Sequence, residues 1–134
     1  MERFCRTELV LGHEAMERLK NASVAVFGIG GVGSYAAEAL ARSGVGRLML
    51  VDDDTVAESN INRQLIALAS TVGRQKAIVM RDRALDINPN IKIDARPVRF
   101  DESRPFGSGA DSGHNTRRRD PAVFSPRQRP RRGL

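Results

Sequence analysis

Apolar positions recur along the first hundred residues in two alternating rhythms. In LGHEAMERLKNA, Leu11, Ala15, Met16 and Leu19 share one face of a helix. SVAVF is short and apolar throughout, as a buried strand is. VGSYAAEALARSG predicts an alanine-rich helix that Gly44 stops. GRLMLVD predicts a second strand with Asp52 at its end. In TVGRQKAIVMRDRALDINP, Ala77, Met80, Ala84 and Ile87 form the inward stripe of a helix, and Pro89 follows its end. IKIDARPV predicts a third strand. Strands alternating with helices predict an α/β fold with a parallel sheet. With right-handed crossovers this is the N-terminal half of a Rossmann-like doubly wound sheet, preceded by an N-terminal helix.

The rhythm stops near Phe100. ESRPFGSGADSGHNTRRRDPAVFSPRQRPRRGL is mostly Arg, Pro, Gly and Ser. So few aliphatic residues cannot bury enough surface to offset the entropy of ordering the segment. Two regions are therefore expected: an ordered domain over 1–100 and a disordered basic tail over 101–134. The tail holds eight arginines against four carboxylates, so most of the chain's net charge of +6 belongs to it. A basic tail suits RNA phosphates, but this one lacks the aromatic residues of stacking-type RNA binders. A solvated tail with no role is the preferred reading. The single cysteine, Cys5, forms no internal disulfide and fits a reducing compartment. No apolar run is long enough to span a membrane, and the N-terminus lacks the apolar core of a signal peptide. A cytoplasmic protein without membrane contact is expected.

Candidate chemistry lies where the first strand meets the first long helix. In GIGGVG, Gly28, Gly30 and Gly33 match G-x-G-x-x-G. Such glycines allow a tight turn, close phosphate approach and close packing of helix on sheet. The helix beginning near Val32 offers free N–H groups and a partial positive charge to phosphates. Asp52 can accept hydrogen bonds from a ribose hydroxyl pair. By themselves these features fit a nicotinamide or flavin cofactor equally well.

The next loop, DDDTVAESNINRQ, has no general purpose in a dehydrogenase. It gathers Asn60, Asn62, Arg63 and Gln64 beyond the carboxyl end of a strand, where open α/β sheets bind ligands. Arg63 suits bidentate pairing with phosphate oxygens. Lys76 is a second cation for the same triphosphate, although alone it reads as a solvated helix lysine. Positioned cations are what phosphoryl-type transfer needs most.

GIGGVG, Asp52, SNINRQ and VGRQK resemble, in order and spacing, the adenylating domain shared by ubiquitin-activating E1 enzymes and the bacterial activators of sulfur-carrier proteins. The wider stretch from Arg3 to about residue 98 is most similar to the branch acting on tRNA. That branch uses ATP to activate the carboxylate of a threonylcarbamoyl group on adenosine 37, which then cyclises with loss of water. The resemblance implies that Gly31 and its turn contact the nucleotide and that Asp52 holds the ribose. It implies that Ser59, Asn60, Arg63 and Lys76 line the phosphates, with Arg63 stabilising the transition state. It implies that Arg6 reaches the ATP site of a second copy, making a homodimer. Asp54 reads equally as a ligand residue or a solvated carboxylate. Other expectations are ATP with Mg2+, tRNA as partner, and a sulfur-carrier or sulfur-transfer protein as the alternative one.

The family carries a further strand whose aspartate handles magnesium, then substrate-binding segments and, in many members, a reactive cysteine. Nothing in 101–134 matches these, and Cys5 lies too far upstream to be that cysteine. The sheet is therefore expected to stop after three strands. An altered reading frame or early stop near residues 98–100 explains the change of composition; a lineage-specific extension is the other reading.

Overall fold

The computed structural model describes residues 2–101 and, as backbone, residues 122–124. A 3-10 turn at Glu2–Phe4 leads into helix α1 (Cys5–Leu11) and, across Gly12, helix α2 (His13–Asn21). Strand β1 (Ser23–Phe27), helix α3 (Gly33–Ser43), strand β2 (Arg47–Val51), helix α4 (Lys76–Ile87) and strand β3 (Lys92–Arg96) follow. The last element is strand β4 (Ala122–Phe124). All pairings are parallel, in the order β3-β2-β1-β4.

The chain leaves β1 and β2 at the same end, so α3 and α4 cross back over the sheet to the next parallel strand. Leu48 and Leu50 of β2 pack with Val26 of β1, Ala37 and Ala41 of α3, and Met80 and Ala84 of α4 in one aliphatic core. The alanines on the inner face of α3 let it approach the sheet closely. The stripe Ala77, Met80 and Ala84 is buried, and Ile87 packs partly buried at its end.

Three expectations change. The predicted helix over LGHEAMERLKNA begins only at His13, because Gly12 interrupts it, and a separate helix precedes it. Helix α4 begins at Lys76, because the backbone before it is used elsewhere. Val56 N–H donates to the Arg74 carbonyl at 2.8 Å, and Gly73 N–H donates to the Val56 carbonyl at 2.8 Å. A local helical pattern yields there to pairing with a distant loop. Finally, the sheet does not stop at three strands: β4, from the segment expected to be unstructured, pairs with β1. Once β2 covers one edge of β1, the other edge is open, and AVF is the apolar segment that pairs with it. The rest of the predicted disordered tail lies outside the described residues.

Helices α3 and α4 are tied by Glu38, which accepts hydrogen bonds from Arg83 and Arg42. The Arg83 hydrogen bond does most to hold the Glu38 carboxyl below its ordinary value of 4.5, and Arg42 adds to this against the opposing effect of burial. A carboxylate with a depressed value in the folded state stabilises that state above its unfolded value; the contribution disappears as pH falls through the folded value. Urea midpoints should therefore decline below about pH 4.5 more steeply in the natural chain than in Glu38→Gln. Equal acid slopes in the two proteins would remove this link from the stability of the fold.

Candidate functional site

The site is built at the carboxyl ends of β1 and β2. Gly28 leaves β1 with φ +86°, a left-handed conformation that side chains resist. Its N–H donates to the Val51 carbonyl at 2.9 Å, which ties the turn to β2. A Cβ on Gly33 would lie 1.7 Å from the Gly28 carbonyl oxygen, so α3 can start against the turn only with glycine there. Buried Ser34 locks the same turn through its hydroxyl, which donates to the Gly30 carbonyl. Among the described residues, the N–H groups of Gly30, Gly31 and Val32 meet no acceptor. Nothing lies within 4 Å of where a Cβ of Gly31 would be. This is an open cradle of donors at a helix N-terminus, which suits phosphate.

Asp52 is the hinge of the site. Its Oδ2 accepts from Ile29 N–H at 2.6 Å, and its Oδ1 accepts from Asp54 N–H at 2.8 Å. One carboxylate thus clamps the glycine turn to the following loop. Each oxygen keeps a second lone pair for a ribose hydroxyl. Asp54 continues outward: its carbonyl accepts from Lys76 N–H at 3.0 Å, and its carboxylate faces the Lys76 ammonium at 3.6 Å. Lys76 is only 6 % exposed, whereas the side chain of Asp54 is 73 % exposed. A buried ammonium with one loose, solvated partner is poised for a stronger anion. Lys76 is thus not the solvated helix lysine that it would be on its own: the isolated bridge Thr55–Gln75 draws the start of α4 inward.

Asn60 and Gln64 lie on a compact turn over the cradle. Asn60 Oδ1 accepts from Ala57 N–H at 3.0 Å, so its side chain serves the loop itself. Gln64 is 8 % exposed, and its Oε1 has no partner. Its Nε2 is 3.7 Å from where a Cβ of Gly30 would be. An orphaned buried amide beside a glycine cradle fits a bound polar group. Arg63 and Ser59 are exposed, and Arg63 folds back on its own loop. Its Nη1 donates to the Ser59 carbonyl and to Asn62 Oδ1, each at 3.0 Å.

The fold therefore brings together Gly28, Gly30, Gly31, Gly33, Asp52, Asp54, Gln64 and Lys76, with Ser59, Asn60 and Arg63 on the loop beside them. It does not bring Arg6. That residue is exposed on α1, whose neighbour Phe4 packs near Gly44 at the opposite end of the sheet. Sequence reasoning missed Ser34 and the clamping role of Asp52. A serine directly after the last glycine was the available signal for the first; nothing local signals the second.

Comparison with known proteins decides the family. Residues 3–114 match the ThiF family. The chain belongs to the ThiF family. That match runs beyond the boundary near 98–100 at which the sequence changes character. The chain is 55% identical over 102 residues to the tRNA threonylcarbamoyladenosine dehydratase of Bacillus subtilis, covering 76% of this chain and 40% of that protein. It is 38% identical over 111 residues to the sulfur carrier protein adenylyltransferase of Thermus thermophilus, covering 78% of this chain and 41% of that one. The crystal structure of the Escherichia coli tRNA N6-threonylcarbamoyladenosine dehydratase in complex with ATP aligns with a TM-score of 0.72 at 44% identity, over 72% of this chain and 40% of that one. The ThiF-family chain thus spans about 40% of the length of these relatives. The relatives confirm the Rossmann-like α/β fold.

Proposed function

We propose that this chain is the ATP-binding portion of a cytoplasmic adenylating enzyme that acts on the threonylcarbamoyl group of tRNA adenosine 37. The observation that carries this reading is the buried ammonium of Lys76, joined to the glycine turn through Asp54 and Asp52. A redox dinucleotide needs the turn and the acid but has no use for that ammonium. The relatives named for tRNA dehydration support the substrate class. Those that adenylate sulfur carriers support a second reading, in which a protein C-terminus takes the place of the tRNA.

In the adenylating reaction a carboxylate oxygen forms a bond to the α-phosphorus of ATP, and the bond from that phosphorus to the pyrophosphate oxygen breaks. The N–H groups of the glycine turn and the ammonium of Lys76 hold the phosphates and balance the charge that collects on the leaving oxygens. Asp52 orients the ribose through its free lone pairs. Arg63 must release Ser59 and Asn62 to reach the phosphates, so its contribution belongs to the transition state rather than to the resting site. Magnesium is a different matter: among the described residues no group of three His, Cys, Asp or Glu side chains fits a metal ion. Arg6, remote within one chain, completes the site across a homodimer. Leu9 and Val10 beside it, 86 % and 82 % exposed, give a second copy an apolar face to cover.

The reading is tested by ligand protection. ATP at a hundred times its dissociation constant should raise stability by about 2.7 kcal/mol, or roughly 10 °C in Tm. NADH should give none; protection by NADH and not by ATP would replace this reading with the nicotinamide one. Gly31→Ala should keep the natural Tm, since its Cβ meets nothing, but weaken ATP at least tenfold by occupying the phosphate's place. Arg63→Ala should leave ATP affinity within about threefold while removing ATP–pyrophosphate exchange in the whole protein.

A further inference from the structure

The opposite end of the sheet holds a feature the nucleotide reading does not use. A cavity of about 580 Å³ opens there, between α2, the starts of β1, β2 and β3, and the turn after α4. Its walls include Lys20, Arg47, Asn88 and Lys92. Strands of five residues put it about 13 Å from the glycine turn.

Arg47 and Lys92 are paired in register on adjacent parallel strands. In-register side chains stand on the same face, about 5 Å apart, and like charges there repel. A carboxylate between them would relieve this, but among the described residues neither cation has an acidic partner. The two acids of the cavity wall are already engaged: Glu8 accepts from His13 at 2.8 Å, and Glu17 lies 3.8 Å from Lys20. Asn88 supplies an independent sign. It is 5 % exposed, and its Oδ1 accepts from Asn90 N–H at 3.2 Å. Its Nδ2, a two-proton donor, has no acceptor among the described residues. Two adjacent, exposed cations and a free, accessible amide donor at the wall of one cavity suit the same ligand, an oxyanion.

We infer that this cavity binds a phosphoryl group, held by Arg47 and Lys92 with Asn88 Nδ2 as the fixed donor. The group belongs either to a nucleic-acid backbone or to a free phosphate. The inference does not rest on the adenylating reading, because no residue of the glycine turn or its loop takes part.

The full chain is titrated with two probes, inorganic phosphate and an unmodified tRNA transcript. Phosphate is expected to move the side-chain amide resonances of Asn88. The Arg47→Gln, Lys92→Gln double variant should lose that response. Asn88→Asp, which keeps the Oδ1 cap on Asn90 and therefore the natural Tm, should abolish the phosphate-induced shifts of the Arg47 and Lys92 backbone amides. If the source is RNA, the double variant should bind the transcript about five- to tenfold more weakly at 0.1 M salt, with a log–log salt slope shallower by about 1.5. If phosphate moves Asn88 but transcript binding stays the same, the site stands and its ligand is a free phosphate. Unmoved Asn88 resonances with both probes, together with natural transcript affinity and slope in the double variant, would overturn the inference. ATP protection, read in parallel, should be unchanged in these variants, so failure here leaves the nucleotide site untouched.

Discussion

Gly33→Ala is expected to cost more than about 3 kcal/mol and to remove ATP binding. The added Cβ would lie 1.7 Å from the Gly28 carbonyl oxygen and 2.8 Å from its carbonyl carbon. Both are backbone atoms, so no change of rotamer relieves the clash. Either α3 slides off β1 or the turn opens, and each destroys the cradle of N–H groups. In a domain of about a hundred residues this corresponds to a fall in Tm of roughly 10–20 °C. Gly46→Ala is the control, because its Cβ would lie 1.8 Å from the Lys20 carbonyl oxygen, at the other end of the sheet. It should lower Tm comparably, yet its folded fraction should bind ATP with natural affinity. Urea titration reads the first quantity and equilibrium dialysis the second. A Gly33→Ala chain with natural Tm and ATP affinity would show that the turn does not pack as described.

Asp52→Ala is expected to have the second largest effect, because it removes two interactions at once. Ile29 N–H and Asp54 N–H each lose a charged acceptor. Hydrogen bonds to charged groups contribute about 1.5–3 kcal/mol each, so a loss near 3 kcal/mol is expected even without nucleotide. Asp52→Asn separates structure from ligand. Its remaining carbonyl oxygen can keep one of the two N–H groups, restoring about half the stability. It cannot clamp both segments and also receive the ribose, so ATP protection should stay lost in both variants. Recovery of ATP protection in Asp52→Asn to the natural level would show that Asp52 serves the fold alone.

These two positions show why some of the site was legible in the chain and some was not. The glycine spacing was legible because each glycine answers a local steric demand, and local demands leave local patterns. Asp52 was legible as a strand-terminal acid, but its service to Ile29 was not. That contact joins residues just past the ends of two different strands, and only the parallel register of β1 with β2 brings them together. Gln64 stood out only as one polar residue among several; its burial with an orphaned oxygen follows from how its loop folds over Gly30. Lys76 was legible as a site residue only through the family resemblance, for a related reason. A lysine at a helix start is ordinarily solvated, and here the pairing of 54–56 with 73–76 turns it inward.

Core periodicity and glycine placement were enough, from sequence alone, to predict an α/β nucleotide-binding fold; the adenylating reading came from the resemblance of GIGGVG, SNINRQ and VGRQK to a known family. Periodicity and glycines sufficed because hydrophobic burial and backbone sterics act residue by residue along the chain. Tertiary structure alone decided the order β3-β2-β1-β4, the joining of Ile29, Asp52, Asp54 and Lys76, and the in-register pair Arg47 and Lys92. Each of these depends on which segments lie side by side. That is set by the packing of all the helices and strands together, and no single stretch of sequence encodes it.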